Sequence, residues 1–362
     1  MMTQTDPRTS RTEPQKILVI RLSAIGDAVR TAPAVHAIRR RFPDAVIHWL
    51  VEDKCADVLD GFAGVDELKL VPRRVWKKMG ILKRISSFFR FIRELRGEKY
   101  DMVVDFHGIL KSGLYARLSG CKRRVGYGPE IAKEWNTLFT NEKIAGVSGP
   151  LSRYDRNFLL ARYFDPDAVE QNPGLPIPAD DKQTATEFLS KYGIGFQSAA
   201  FLYPGTSPRG RYKRWAPENY AKLSDMIQLT LHMPVLVGWG PGEEEIVDRL
   251  METASEAPVI LPATTMKELA AFIGASRVFI GGDTGPMHIA SLMGTPVVTI
   301  FGPSDPIVNE PARFTPFKIV TASVDCSPCR NKKCNHLKCL TAVTPEMVMD
   351  SLKAVLSEQN QV

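Results

Sequence analysis

The sequence predicts an α/β protein built from two doubly wound, Rossmann-like domains that face a common cleft. Three observations lead there. Apolar runs of strand length alternate with segments of helical period through both halves of the chain, a pattern that calls for parallel sheets covered by helices on both faces. A stretch with three prolines and no periodicity, 171–182, interrupts the alternation and reads as a linker. Each half also carries a glycine-bearing crossing from strand to helix, the place where such folds hold phosphates.

In the first half, strand-like runs fall at 16–22, 45–51, 66–71 and 101–106. The first leads into Ser23-Ala24-Ile25-Gly26-Asp27 and then a helical segment through Arg41. From Pro72 to Lys99 the chain is strongly basic, with Arg73, Arg74, Lys77, Lys78, Lys83, Arg84, Arg90, Arg93 and Arg96. Within it Ile81, Ile85, Phe88, Phe89, Ile92 and Leu95 recur at helical spacing and predict an amphipathic helix with its apolar stripe on the core. The loop 73–78 is different, because so many like charges side by side repel unless an anion is expected there. Acidic lipid headgroups or a phosphorylated acceptor would serve.

In the second half, strands are expected near 198–203, 233–238, 258–261, 277–281 and 296–300, with helices near 216–229, 243–253, 266–274 and 286–293. A last helix, about 344–357, follows a loop rich in cysteine. The expected divisions are a disordered tail over 1–15, an N-terminal domain over 16–175, a C-terminal domain over 176–345, and a helix and tail over 346–362. Two doubly wound domains facing each other match the GT-B arrangement, common among nucleotide-sugar glycosyltransferases.

With 362 residues, each domain can bury a core of its own. A formal charge of +7 favours an anionic partner: nucleic acid, a membrane surface or a phosphorylated substrate. The first fifteen residues are polar and unlike a signal peptide, and no run approaches the roughly 20 apolar residues of a membrane span, so a cytoplasmic protein is expected.

Candidate chemistry sits at the strand-to-helix crossings. Asp27 reads either as a helix N-cap or, at the carboxyl edge of the first strand with Gly26 holding the turn close, as a general base toward a hydroxyl nucleophile. In the loop from Tyr203 to Trp215, Thr206 can donate a hydrogen bond to a diphosphate and Lys213 can neutralise charge growing on a leaving phosphate. Trp215 and Pro217 read as structural, the proline suiting the first turn of a helix. Glu243, at the end of a glycine-rich run, can reach a ribose or sugar hydroxyl. In Gly281-Gly282-Asp283-Thr284-Gly285-Pro286-Met287-His288 the glycines admit close backbone approach, and the free amides of the next helix bind anions. Cys326, Cys329, Cys334 and Cys339 are close enough to hold a structural zinc or iron, with buried reduced thiols as the alternative.

Taken together, 23–27, the Tyr203-Pro204-Gly205-Thr206 loop with Lys213-Arg214-Trp215, and Gly282 to His288 followed by Phe301-Gly302-Pro303-Ser304 resemble glycosyltransferase family 9 over about residues 16 to 355. The resemblance implies a heptosyltransferase that moves heptose from ADP-L-glycero-D-manno-heptose to the Kdo of the lipopolysaccharide inner core, Kdo-lipid A, inverting the anomeric centre without a metal. By resemblance Asp27 is the base and Lys213 stabilises the departing ADP. Asp283 accepts from a sugar hydroxyl, the amides of Thr284 and Gly285 hold the diphosphate, and His288 belongs to the same loop. Ser23, Gly26, Thr206 and Glu243 join the donor side. The basic segment with Arg73, Arg74 and Lys77 is similar to the acceptor-binding segment of the heptosyltransferase I type, which places the enzyme at the cytoplasmic face of the inner membrane. The cysteine cluster resembles one that binds iron in some members. Three other readings are heptosyltransferase II or another family 9 transferase with a different acceptor, a nucleotide-sugar epimerase, which would not need the cationic acceptor segment, and a basic metal-knuckle nucleic-acid-binding protein. Charge gathered at one loop, without aromatic platforms beyond Trp76, argues against the last.

Overall fold

A computed structural model describes residues 13–329 and 331–359. Most of the tail expected over 1–15 lies outside the described residues. Two six-stranded sheets organise the chain, and every strand pair in them is parallel. The first contains β1 (Lys16–Ile20), β2 (Val46–Glu52), β3 (Glu67–Val71), β4 (Met102–Asp105), β5 (Arg123–Tyr127) and β6 (Glu142–Ile144), in the order β3-β2-β1-β4-β5-β6. The second contains β7 (Ala200–Tyr203), β8 (Val235–Val237), β9 (Val259–Ile260), β10 (Val278–Gly282), β11 (Val297–Ile300) and β12 (Phe317–Val320), in the order β12-β11-β10-β7-β8-β9.

In each sheet the strand order reverses beside its first strand: between β1 and β4, and between β7 and β10. Ligands of open α/β sheets bind outside the carboxyl ends of strands at such a reversal. The crossings after β1 and β10 singled out by sequence both open there.

Three strands escape the sequence reading: β5, β6 and β12. They lie at or next to sheet edges, where one side faces water, and their polar residues break the apolar run: Arg123 and Arg124 in β5, Glu142 and Lys143 in β6, Lys318 in β12. The linker ends where the helix Ala179–Lys191 begins. The last helix, Pro345–Gln359, is a layer of the C-terminal domain. Its Val348, Met349, Leu352 and Val355 are buried in one cluster with Val298, Ile300 and Val320.

The basic region corrects two expectations. Residues 73–78 form a helix, Arg73–Lys78, where a loop was expected. The next helix, Ile81–Gly97, buries Ile92 and Leu95 and half-buries Phe88, but leaves Ile81, Ile85 and Phe89 exposed. Its apolar stripe therefore faces the core only in the second half of the helix. Helical spacing reports which residues share a face, and it does not report how far the supporting sheet extends beneath that face.

Among the described residues, no helix is long and apolar enough to cross a membrane.

Candidate active site

The two glycine loops meet. A Cβ placed on Gly26 would lie 3.1 Å from the Gly285 Cα and 3.2 Å from the His288 ring, so a side chain there would press the two domains apart by a few tenths of an ångström. The short helix Ile25–Val29 packs there on the helix Gly285–Met293, and the buried core is continuous between the domains. Tyr154, on the helix Arg153–Phe164, adds a further contact, its hydroxyl 3.4 Å from His288 Nδ1.

Ala24, not Asp27, is the N-cap residue; Asp27 is the third residue of the helix and caps it from there. Its carboxylate accepts from the Ala24 amide at 3.4 Å and faces three guanidinium groups. Arg21 lies at 2.8 Å, Arg153 at 3.2 Å, and Arg30 forms a close pair from one turn on. Burial pushes the Asp27 carboxyl up, but the three arginines outweigh it and hold the group well below the usual carboxylate range. The arginines are themselves positioned. Arg21 donates to the Phe106 carbonyl at 2.8 Å, while Arg30 and Arg153 both donate to Asn309 Oδ1 of the C-terminal domain, at 3.3 and 3.2 Å.

Beside this cluster His107 accepts at Nδ1 from the Leu22 amide, at 3.3 Å. Burial first and Arg21 second lower its pKa to about 3, so the ring is neutral. Asp105, fully buried at the end of β4, accepts from the amides of His107 and Gly108 and from the side chains of Ser112 and Asn136. That network fixes the turn that presents His107.

Across the cleft Lys213, ending a 3-10 turn that begins at Pro208, pairs with Asp283 at 2.6 Å. Thr284 is the N-cap residue of Gly285–Met293, and its Oγ1 is buried with no hydrogen-bond partner among the described residues. An orphan hydroxyl at a helix N-terminus suits an anion's oxygen. Burial, with Arg30 next, holds His288 well below the usual histidine range, so it is neutral. Ser23 lies half-buried in the loop before Gly26.

Two donor-side residues sit differently from expectation. Thr206 is buried, and its hydroxyl accepts from Arg214 Nε at 2.8 Å, Arg214 being itself partly buried. Glu243, expected at a sugar hydroxyl, is turned inward. It accepts from the Gly240 amide at 2.8 Å, and its Oε2 lies only 1.8 Å from where a Cβ on Gly205 would be. Burial raises its pKa, and it braces the Tyr203–Thr206 turn. Trp215 is buried, donating to the Val343 carbonyl at 2.9 Å, and Pro217 opens the helix Pro217–Leu231, as the structural reading expects.

On the N-terminal side Arg73 is held by Glu52 at 2.6 Å, and Lys111 approaches the same carboxylate at 2.8 Å. Glu52 is 1% exposed; burial pushes its pKa up, but the hydrogen bonds from Lys111 and Arg73 bring it below the usual value. Arg74 and Lys77 are exposed and make no ion pair among the described residues.

The four cysteines of 326–339 share one corner of the C-terminal domain. Cys339 is buried, and burial first, then the nearby thiols of Cys326, Cys329 and Cys334, push its pKa up. Among the described residues no three of these sulfurs lie within 4.8 Å of one another, so they neighbour each other without closing on a point.

Arg21, Arg30, Arg153, His107 and Asn309 are the site residues that the sequence reading missed. Arg30 was within reach of it, one turn from Asp27. Arg153 stands 126 positions away, and no local pattern joins the two.

The sequence pattern described as Glycosyltransferase family 9 (heptosyltransferase) matches residues 88–340. Lipopolysaccharide heptosyltransferase 1 of Escherichia coli K12 is 26% identical over 306 residues, covering 80% of this chain and 89% of that protein. The crystal structure of the glycosyl transferase family 9 protein from Veillonella parvula superposes with a TM-score of 0.82 at 21% identity, covering 95% of this chain and 98% of the other. Escherichia coli heptosyltransferase WaaC with ADP gives a TM-score of 0.72 at 21% identity, over 94% of this chain and 99% of the other. The GT-B arrangement expected from sequence is thus the fold of this chain.

Proposed function

The chain belongs to glycosyltransferase family 9 (heptosyltransferase), and from that premise we propose that it transfers heptose from ADP-L-glycero-D-manno-heptose to the Kdo of Kdo-lipid A in lipopolysaccharide core assembly. The observation that carries the reading is the approach of Gly26 to Gly285. It brings a carboxylate from one domain and a lysine with an anion-ready helix N-terminus from the other to a single cleft.

In the proposed reaction the acceptor hydroxyl oxygen attacks the anomeric carbon of heptose from the face opposite ADP. The hydroxyl proton passes to the Asp27 carboxylate, the bond from the anomeric carbon to the diphosphate oxygen breaks, and its electron pair leaves with ADP. Lys213 turns from Asp283 to the diphosphate as charge grows there, and the helix N-terminus at Thr284 and Gly285 takes the phosphate oxygens. Asp283, freed of its lysine, accepts from a sugar hydroxyl. The charge developing in the transfer is met by these groups, so no metal is assigned a step.

Three arginines around Asp27 would make a weak base of it if nothing drew them away. Kdo carries a carboxylate, and that anion competes for the same guanidinium groups. As it takes them, the Asp27 carboxyl rises toward its ordinary range and becomes a better proton acceptor. Acceptor binding would in this way switch the base on, which also restrains attack by water on the donor. Arg74 and Lys77 extend the cationic surface toward the acceptor's phosphates.

Incubating the purified protein with ADP-heptose and Kdo-lipid A tests the proposal. The expected result is one heptose added to the acceptor with one ADP released, by mass spectrometry. Donor turnover in the absence of any acceptor, with no mass added to Kdo-lipid A, would overturn it in favour of an epimerase. Separately, the corner of four thiols is proposed to hold one structural zinc or iron after small movements of the 326–339 loop. Metal analysis of protein purified without chelator, against a Cys329→Ser/Cys334→Ser variant, tests that.

A further inference from the structure

The exposed apolar residues of the N-terminal domain are not scattered. Ile81, Leu82, Ile85 and Phe89 are 64, 79, 47 and 64% exposed, and at about 100° per residue they share one arc of the helix Ile81–Gly97. This helix packs beside the helix Leu110–Leu118, where Leu110 and Leu114 are also exposed. Against that helix lies the turn Asn136–Leu138, which leaves Leu138 76% exposed and the preceding Trp135 78% exposed. Glu134 and Trp135 both hold φ in the left-handed region, at 54° and 58°, a conformation that such side chains adopt only when the surroundings impose it. The Trp135 indole is exposed there.

Charge accompanies this apolar rim. Residues 73–97 carry nine cations against one acid, Glu94. Lys77, Lys78, Lys83, Arg84, Arg90 and Arg93 make no ion pair among the described residues. The helices starting at Arg73 and Leu110 and the turn at Trp135 follow the carboxyl ends of β3, β4 and β5. They therefore share the sheet rim that carries Asp27 after β1.

We propose that this rim, made of the helices 73–78 and 81–97, the start of 110–118 and the turn 135–138, is the surface by which the protein lies on an anionic lipid bilayer. Leu82, Phe89 and Trp135 enter the headgroup boundary, and the unpaired cations hold the acidic headgroups around them. An apolar stripe bordered by Lys and Arg is the physical signature of an interfacial helix. A second copy of the chain is disfavoured as the occupant, because a two-fold contact would set this cationic surface against itself. The inference rests on the proposed transfer only in that a lipid-borne acceptor would then reach the cleft from the membrane side.

Flotation of the purified full chain with vesicles of phosphatidylglycerol and phosphatidylethanolamine, against vesicles of phosphatidylcholine alone, tests the surface. Strong binding is expected only to the anionic vesicles. Leu82→Asp/Phe89→Asp should lower that binding at least about tenfold, and Lys83→Ala and Arg90→Ala about fivefold each. Brominated lipid should quench tryptophan emission of the parent and do so less for Trp135→Phe. Thermal melting checks that each variant folds, and transfer to a lipid-free Kdo acceptor should be unchanged in all of them. Equal binding to both vesicle types, binding unaffected by Leu82→Asp/Phe89→Asp, or a self-association that this pair abolishes would overturn the proposal. Loss of transfer in the parent protein with lipid binding intact would overturn the proposed activity instead and leave the surface standing.

Discussion

Asp27 and Asp283 occupy corresponding places, each in a glycine-bearing crossing at the strand reversal of its own sheet, yet they are partnered in opposite ways. Asp283 has one lysine, Lys213, supplied by the facing loop of its own domain. Asp27 has three arginines, two from its own turn and Arg153 from 126 positions further along the chain. Each arrangement suits a different ligand. One ammonium that can change partners suits a diphosphate whose charge grows during the reaction, whereas a fixed crowd of guanidinium groups suits an anion already charged on arrival. Arginine is the residue for the second task, since its planar fork matches a carboxylate.

The comparison can be broken most severely at Asp27. Asp27→Ala should lower the transfer rate by about 10²–10⁴ with ADP binding near normal, and should also lower the melting temperature, because it strands the buried guanidinium groups of Arg21 and Arg30. Single-turnover kinetics, ADP titration and thermal melting measure these effects, and near-normal turnover would leave the carboxylate only a partner for the arginines. On the other side Lys213→Ala should lose a charge-assisted contact of about 1.5–3 kcal/mol, seen as weaker donor use and slower departure of ADP. Unchanged ADP affinity together with unchanged turnover would remove Lys213 from the diphosphate.

Arg153 sharpens the contrast through pH. Because the Asp27 carboxyl is held low, it stays ionised below the ordinary aspartate range, and the stabilisation from its pairs is complete above about 3.8 and lost as pH falls through the depressed folded value. Arg153→Gln removes one of three cations, so the folded value rises. The acid limb of kcat/KM should move to higher pH, and the melting temperature should fall less below pH 3.8 than in the parent, because the folded and unfolded values lie closer together. An unmoved acid limb in this variant would mean that Asp27 does not set it.

The smallest effects are expected among the basic residues of 73–78, where the three cations predicted to act alike should separate. Arg74→Ala/Lys77→Ala should raise the acceptor KM about fivefold for each cation lost, with the donor KM unchanged. Arg73→Ala should instead cost about 1 kcal/mol of stability, because it deprives buried Glu52 of a partner that is itself half exposed. Steady-state kinetics with each substrate varied in turn, beside thermal melts, distinguishes the two behaviours.

The class of fold and the places where chemistry gathers follow from the amino-acid sequence alone. Alternation of apolar runs with helical segments dictates parallel sheets, and glycine followed by Asp27 or Asp283 at a strand end marks a turn that only a close approach requires. The run from Gly282 to His288 is legible because its function is local: a few consecutive backbone amides and one side chain do the work. Edge strands such as β6 and β12 were not legible, since half of each faces water and carries polar residues. The partners of these residues come from packing between distant segments. The fate of Asp27 depends on Arg153 and on Asn309, which grips two of its arginines. The inward turn of Glu243 depends on the bare Cα of Gly205, and the exposure of Leu82 and Phe89 depends on how far the sheet reaches beneath their helix. Each of these is set by distances between segments far apart in the chain, and local pattern carries no record of them. Periodicity shows that a residue belongs to a face, and only packing decides what that face meets.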